Sequence, residues 1–68
     1  MQPDKLVRMA NQIATFFRSQ PGTDRADRVA QHLRDFWDPR MRAAIRAHLA
    51  AGGEGLDDLA RAAVQRLA

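Results

Sequence analysis

Apolar residues recur along this chain at three- and four-residue intervals, in four stretches punctuated by proline and glycine, the signature of amphipathic helices. The first stretch runs from about Pro3 to Gln20 through Leu6, Met9, Ala10, Ile13, Phe16 and Phe17. Pro21-Gly22 closes it, because a residue before proline is pushed out of the helical region and glycine accepts the turn. At about 100° per residue, this helix carries an apolar arc of roughly 180° from Phe16 round to Val7, more than one small core needs. Thr23 is placed to N-cap a second helix, with Asp24 and Asp27 in its first turns, where the helix dipole favours negative charge. Its apolar stripe of Ala26, Val29, Ala30, Leu33, Phe36 and Trp37 is narrower, and Arg28, Gln31 and Asp35 opposite it read as solvated.

Asp38-Pro39 ends that helix and starts the next, since aspartate is a preferred N-cap and proline a preferred first helical residue. With only Asp38 between them, the two segments meet at a sharp corner. The third helix, Pro39 to about Ala51, gathers Met41, Ala44, Ile45, His48 and Leu49 on one face and stops at Gly52-Gly53, where glycine is free to take a left-handed conformation. A fourth begins near Asp57 and carries Leu56, Leu59, Ala60, Ala63, Val64 and Leu67 on one side, with Asp57 four residues before Arg61, a favourable pairing. No strand signal, low-complexity tract or internal repeat is present. The pattern predicts an all-α fold, a small irregular bundle of about four short helices, with residues 1–68 forming a single helical domain.

A chain this short buries only about 60% of the surface its unfolded form exposes, so its stability alone is marginal. Without cysteine there is no disulfide framework, zinc knuckle or thiol nucleophile. A partner is the remaining source of stability. Neither a leader peptide nor a membrane-spanning run of roughly 20 apolar residues is legible, which predicts a soluble, cytoplasmic protein. The net charge is only +3, and ten of the eleven basic residues are arginine, which suits protein interfaces as well as phosphates.

Candidate chemistry is sparse. His32 and His48 stand on different helices with no carboxylate at a metal-ligand spacing, which argues against a metal site. His48 reads as a hydrogen-bonded core or interface imidazole and His32 as a partly exposed packing residue. Ser19 is the only serine, with no histidine in its own helix to activate it, so no catalytic residue is assigned and the chain is expected not to be an enzyme. The aromatic residues arrive as two adjacent pairs, Phe16-Phe17 and Phe36-Trp37. Neighbours on a helix point about 100° apart, so one ring of each pair faces outward or both flank a single wide stripe.

Partner contact is the chemistry that remains. Trp37, close to Arg34 and Arg40, is expected at an interface because tryptophan and arginine are enriched in binding hot spots. Phe17 joins it if its ring is the outward one. The third helix carries Arg40, Arg42 and Arg46 without an acidic residue between Pro39 and Ala51, a basic face that is commonly just solvated but that an acidic partner surface or a nucleic acid would relieve. Asn11 and Gln12 lie on the polar side of the first helix, where they could bond to a partner's backbone.

These residues form a larger set. Leu6 to Ala14 (Leu-Val-Arg-Met-Ala-Asn-Gln-Ile-Ala), Phe16-Phe17, His32-Leu33-Arg34, Phe36-Trp37-Asp38-Pro39-Arg40-Met41-Arg42 and Gly52-Gly53-Glu54-Gly55-Leu56 follow in order over nearly the whole chain. The set resembles the delta subunit of soluble NAD-dependent formate dehydrogenases, most specifically in its Phe-Trp-Asp-Pro-Arg-Met run followed by Gly-Gly-x-Gly-Leu. Nothing is carried over for Gln20 to Arg28. The resemblance implies a cytoplasmic complex that oxidises formate to carbon dioxide and reduces NAD. In such complexes the alpha subunit holds a molybdenum or tungsten bis-pterin guanine dinucleotide (bis-MGD) and iron-sulfur (Fe-S) clusters, and FMN and the NAD site lie on other subunits. The delta subunit is implied to hold no cofactor, to bind the alpha subunit and through it beta and gamma, and to support assembly, maturation or stability.

Two other readings compete. A transient maturation factor overlaps the first, and sequence does not separate a visitor from a permanent subunit. A small arginine-rich helical nucleic-acid-binding protein is the runner-up from a different class. Against it, a helix-turn-helix needs a turn of about three or four residues, and Asp38 alone is too short.

Overall fold

Pro3 occupies the first turn of α1 (Pro3–Arg18), where its missing N–H costs nothing and its fixed φ suits the helix. The computed structural model describes residues 2–67. Met1 and Ala68, the ends of the expected 1–68 domain, lie outside the described residues. α1 ends two residues earlier than its pattern suggested. Ser19 and Gln20 donate their backbone N–H groups to Phe16 and Phe17, three residues back, which tightens the last turn before Pro21.

α2 (Arg25–Phe36) starts after Asp24, not after Thr23 as expected. The N-cap position is one residue later, and the Asp24 side chain does not cap; its carboxylate pairs with Arg28 one turn on, at 3.1 Å. The Asp38 corner is as expected: Asp38 accepts from the Met41 N–H at 2.9 Å and Pro39 opens α3 (Pro39–Ala50). At the end of α3, Gly52 N–H bonds to Leu49 O and Gly53 N–H to His48 O, with Gly52 at φ +123° and Gly53 at φ +67°. These paired bonds satisfy carbonyls that the last turn leaves free, and they need the left-handed conformation glycine allows. Asp57 caps α4 (Asp58–Gln65) by accepting from Ala60 N–H at 2.7 Å.

Among the described residues there are four helices and no strand, the all-α bundle the pattern predicted. α1 packs against all three other helices and α4 does likewise, whereas α2 and α3 diverge from their shared corner. The central position of α1 uses much of its wide apolar arc. Leu6, Ala10 and Ala14 are buried, and Val7, Met9, Ile13 and Phe17 pack partly against the core. α2 contributes Val29, Ala30 and Leu33, α3 contributes Ile45, and α4 contributes Ala60, Ala63 and Val64. Five of these core residues are alanines, which lets helix backbones approach closely but leaves little room for rings.

Loop-to-helix bonds hold the last third of the chain in place. Arg61 does not pair with Asp57 as its spacing suggested; its guanidinium donates to the carbonyls of Gly52 (3.2 Å) and Gly53 (3.0 Å). Asp57 faces Arg18 of α1 instead, at 3.5 Å. His48 Nε2 lies 2.8 Å from the Glu54 carbonyl oxygen, an acceptor only, so that nitrogen carries the proton. His48 is thus the hydrogen-bonded imidazole its position on the apolar face predicted.

A candidate docking face

On α1, Phe16 and Phe17 are adjacent and diverge. Phe17 leans partly into the core, while Phe16 remains 60% exposed. Their rings meet edge to face with centroids 5.2 Å apart. From Phe17 the contact passes to α2, where the His32 ring lies 6.0 Å away, and from His32 to Phe36, one turn on, at 4.7 Å. Four rings from two helices thereby form one continuous run. Beside it a cleft of about 380 Å³ is lined by Gln12, Ile13, Phe16, Phe17 and His32. Phe36, which the pattern placed in the α2 stripe, is 73% exposed at the end of this run. The following residue, Trp37, fills the core position in its place.

The expected interface residues divide. Trp37 is corrected: only 5% of it is exposed, within the hydrophobic core where α2 gives way to α3. Asn11 is also corrected, because both ends of its amide are used inside the chain. Its Nδ2 donates to Gly55 O at 2.8 Å and its Oδ1 accepts from Asp57 N–H at 3.0 Å, which ties α1 to the loop before α4. Arg34 donates to the Arg66 carbonyl, and the Arg66 guanidinium pairs with Asp27 at 2.8 Å, joining the end of α4 to α2. Gln12 and Phe17 line the aromatic cleft, but the outward ring of the phenylalanine pair is Phe16, with Phe17 packed partly against the core. Arg40 and Arg46 are exposed and Arg42 is half-exposed, and among the described residues none of the three forms an ion pair.

Sequence reasoning missed Phe16, Ile13, His32 and Phe36 as members of one surface. The available signal was the four-residue step from His32 to Phe36, which places both rings on one side of α2. Nothing in the sequence showed that this side faces Phe17.

Among the described residues no three His, Cys, Asp or Glu side chains gather where they could hold a metal ion. The whole chain lacks the cysteine that iron-sulfur clusters require. No described helix is long and apolar enough to cross a membrane.

A bundle of four short helices, with a buried alanine-rich core and a run of rings left on its surface, defines the class: a small all-α protein whose distinctive feature is an apolar face. A family model described as the NADH-dependent formate dehydrogenase delta subunit, FdsD, matches residues 5–64 of the 68-residue chain. The chain belongs to that family, as the motifs in its sequence indicated, and the family associates it with the formate dehydrogenase complex. No curated protein and no solved structure gives a significant match.

Proposed function

We propose that this chain is a non-catalytic accessory subunit of a cytoplasmic NAD-dependent formate dehydrogenase, that it binds the molybdenum-containing alpha subunit, and that it supports assembly, maturation or stability. The observation carrying this reading is the exposed ring run. Phe16 and Phe36 are 60% and 73% exposed, and large apolar side chains clustered on the surface of a small protein mark an interaction site. The bis-MGD centre with its molybdenum or tungsten, the Fe-S clusters, FMN and NAD then belong to the other subunits, in keeping with the absence of cysteine here. Contact with the beta and gamma subunits runs through alpha.

The nucleic-acid reading has less support. Arg18, Arg28 and Arg66 are held in ion pairs, and Arg25, Arg34 and Arg61 donate to backbone carbonyls. The decisive experiment tags the chain in its native cell, purifies what accompanies it, and compares formate-dependent NAD reduction and molybdenum content with and without its gene. Co-purification with the alpha subunit and a fall in activity on deletion are expected. A chain that never enters the complex, and whose loss leaves activity and molybdenum content unchanged, defeats the proposal.

A further inference from the structure

A second cleft, of about 180 Å³, is lined by Lys5, Leu6, Met9 and Met41, where α1 meets the first turn of α3. Lys5, Met9, Gln12 and Phe16 succeed one another at four-, three- and four-residue steps, so they lie along one strip of α1. The two clefts therefore lie one beyond the other along the same side of α1, as a broken groove. From Lys5 to Phe17 it runs about 18 Å at 1.5 Å per residue, a little over three helical turns.

Its charge is one-sided. Lys5 lines the second cleft, and Arg8 stands one turn before Gln12 on the same bank. Among the described residues neither forms an ion pair. The nearby acids are engaged or directed elsewhere: Asp4 borders a separate depression with Val7, His48 and Glu54, Asp38 accepts from the Met41 N–H at 2.9 Å as the cap of α3, and Asp35, next to Phe36, accepts from Gln31 at 2.9 Å. The groove is thus apolar and aromatic at one end and basic at the other.

We propose that this groove takes a single amphipathic helix of the formate dehydrogenase partner, about three turns long, with apolar anchors over the rings and Met9 and with Asp or Glu side chains over Lys5 and Arg8. The inference rests on the accessory-subunit reading above and adds where and by what chemistry docking occurs. A helix fits better than an extended segment because it satisfies its own backbone groups. The groove walls, built of helix sides, offer no free row of N–H and C=O for a strand to pair with. A second copy of this chain would bring the same basic strip, whereas an acidic partner neutralises it.

The test uses the full chain in its complex, with benzoylphenylalanine replacing Phe16 or, separately, Phe36, and with Ala47 on α3 as the control position. Photo-crosslinking of the purified complex, read by mass spectrometry, is expected to join positions 16 and 36 to one partner segment with helical apolar spacing and acidic residues at one end. In parallel, Phe16→Ser with Phe36→Ser should lower the complex retained by the tagged chain about thirtyfold, with an unchanged circular dichroism melt. Lys5→Glu with Arg8→Glu should slow association about tenfold at low salt. Crosslinks from both positions to another copy of the chain, crosslinks to a segment without acids, or full retention by the double serine variant would overturn the groove proposal while leaving subunit membership intact. Failure of the unmodified chain to enter any formate dehydrogenase complex would instead sink the proposed function.

Discussion

Trp37→Ala separates a core role for the indole from the interface role its neighbours suggested. The ring is 5% exposed and belongs to the same buried cluster as Leu6, Leu33 and Ile45. Truncating a buried tryptophan to alanine removes about 3–5 kcal/mol. The upper half of that range applies here, because so much of the core is alanine, and alanine has no long side chain to swing into the void. A chain of this length holds about 3–10 kcal/mol in all, at about 0.05–0.15 kcal/mol per residue. The variant should therefore lose most of its stability, and Trp37→Phe, which keeps a ring, should lose less. Urea titration of the isolated chain by far-UV circular dichroism measures both. The wild-type indole, the only tryptophan, should also emit at short wavelength when folded and shift to the red on unfolding. If Trp37→Ala stays within about 1 kcal/mol of wild type with the same denaturant slope, the ring is not a core element and the reasoning fails.

Three further substitutions probe the joints of the bundle. Asn11→Ala removes two hydrogen bonds to the 55–57 segment and should cost about 1–3 kcal/mol by thermal melting, with faster amide exchange at Asp57, whose N–H it leaves unpaired. Asp38→Ala should cost about 1 kcal/mol as a lost N-cap, whereas Thr23→Ala, in the bend before α2, should change the melt by less than about 0.5 kcal/mol. Gly53→Ala places a Cβ 2.9 Å from both Arg61 Nη1 and Leu49 Cδ1 at a backbone φ of +67°. It should lower stability by about 1–3 kcal/mol, and Arg61→Ala in the same background should recover part of the loss.

Periodicity located all four helices because each presents its apolar residues at three- and four-residue steps, and the Asp38-Pro39 and Gly52-Gly53 signals act through local backbone chemistry alone. What it could not give was the direction each face points. Asn11 read as a surface amide because nothing local shows that Gly55 and Asp57 return to meet it from more than forty positions away. Asp57 and Arg61 had the right spacing for a pair, yet the guanidinium found two loop carbonyls that exist only once Gly52 and Gly53 have turned left-handed. Trp37 and Phe36 exchanged roles for a similar reason. At the last turn of a helix, the corner decides which of two adjacent rings goes inward, and that corner is a tertiary feature.

The size of the core explains why rings remain outside at all. Ala10 and Ala14 of α1 meet Ala30 of α2 and Ala60 and Ala63 of α4 in one fully buried cluster. Small side chains at these positions bring the backbones close, and that closeness lets an eight-residue α4 contact three helices at once. The same closeness excludes bulk. Only Trp37 among the aromatic residues finds a buried seat, while Phe17 is half-accommodated and Phe16 and Phe36 stay largely in solvent. Widening the core to admit them would separate the helices along the alanine contacts. The exposed ring run is thus what this alanine-built packing leaves over, and the free energy still available from covering it is what a partner helix would gain.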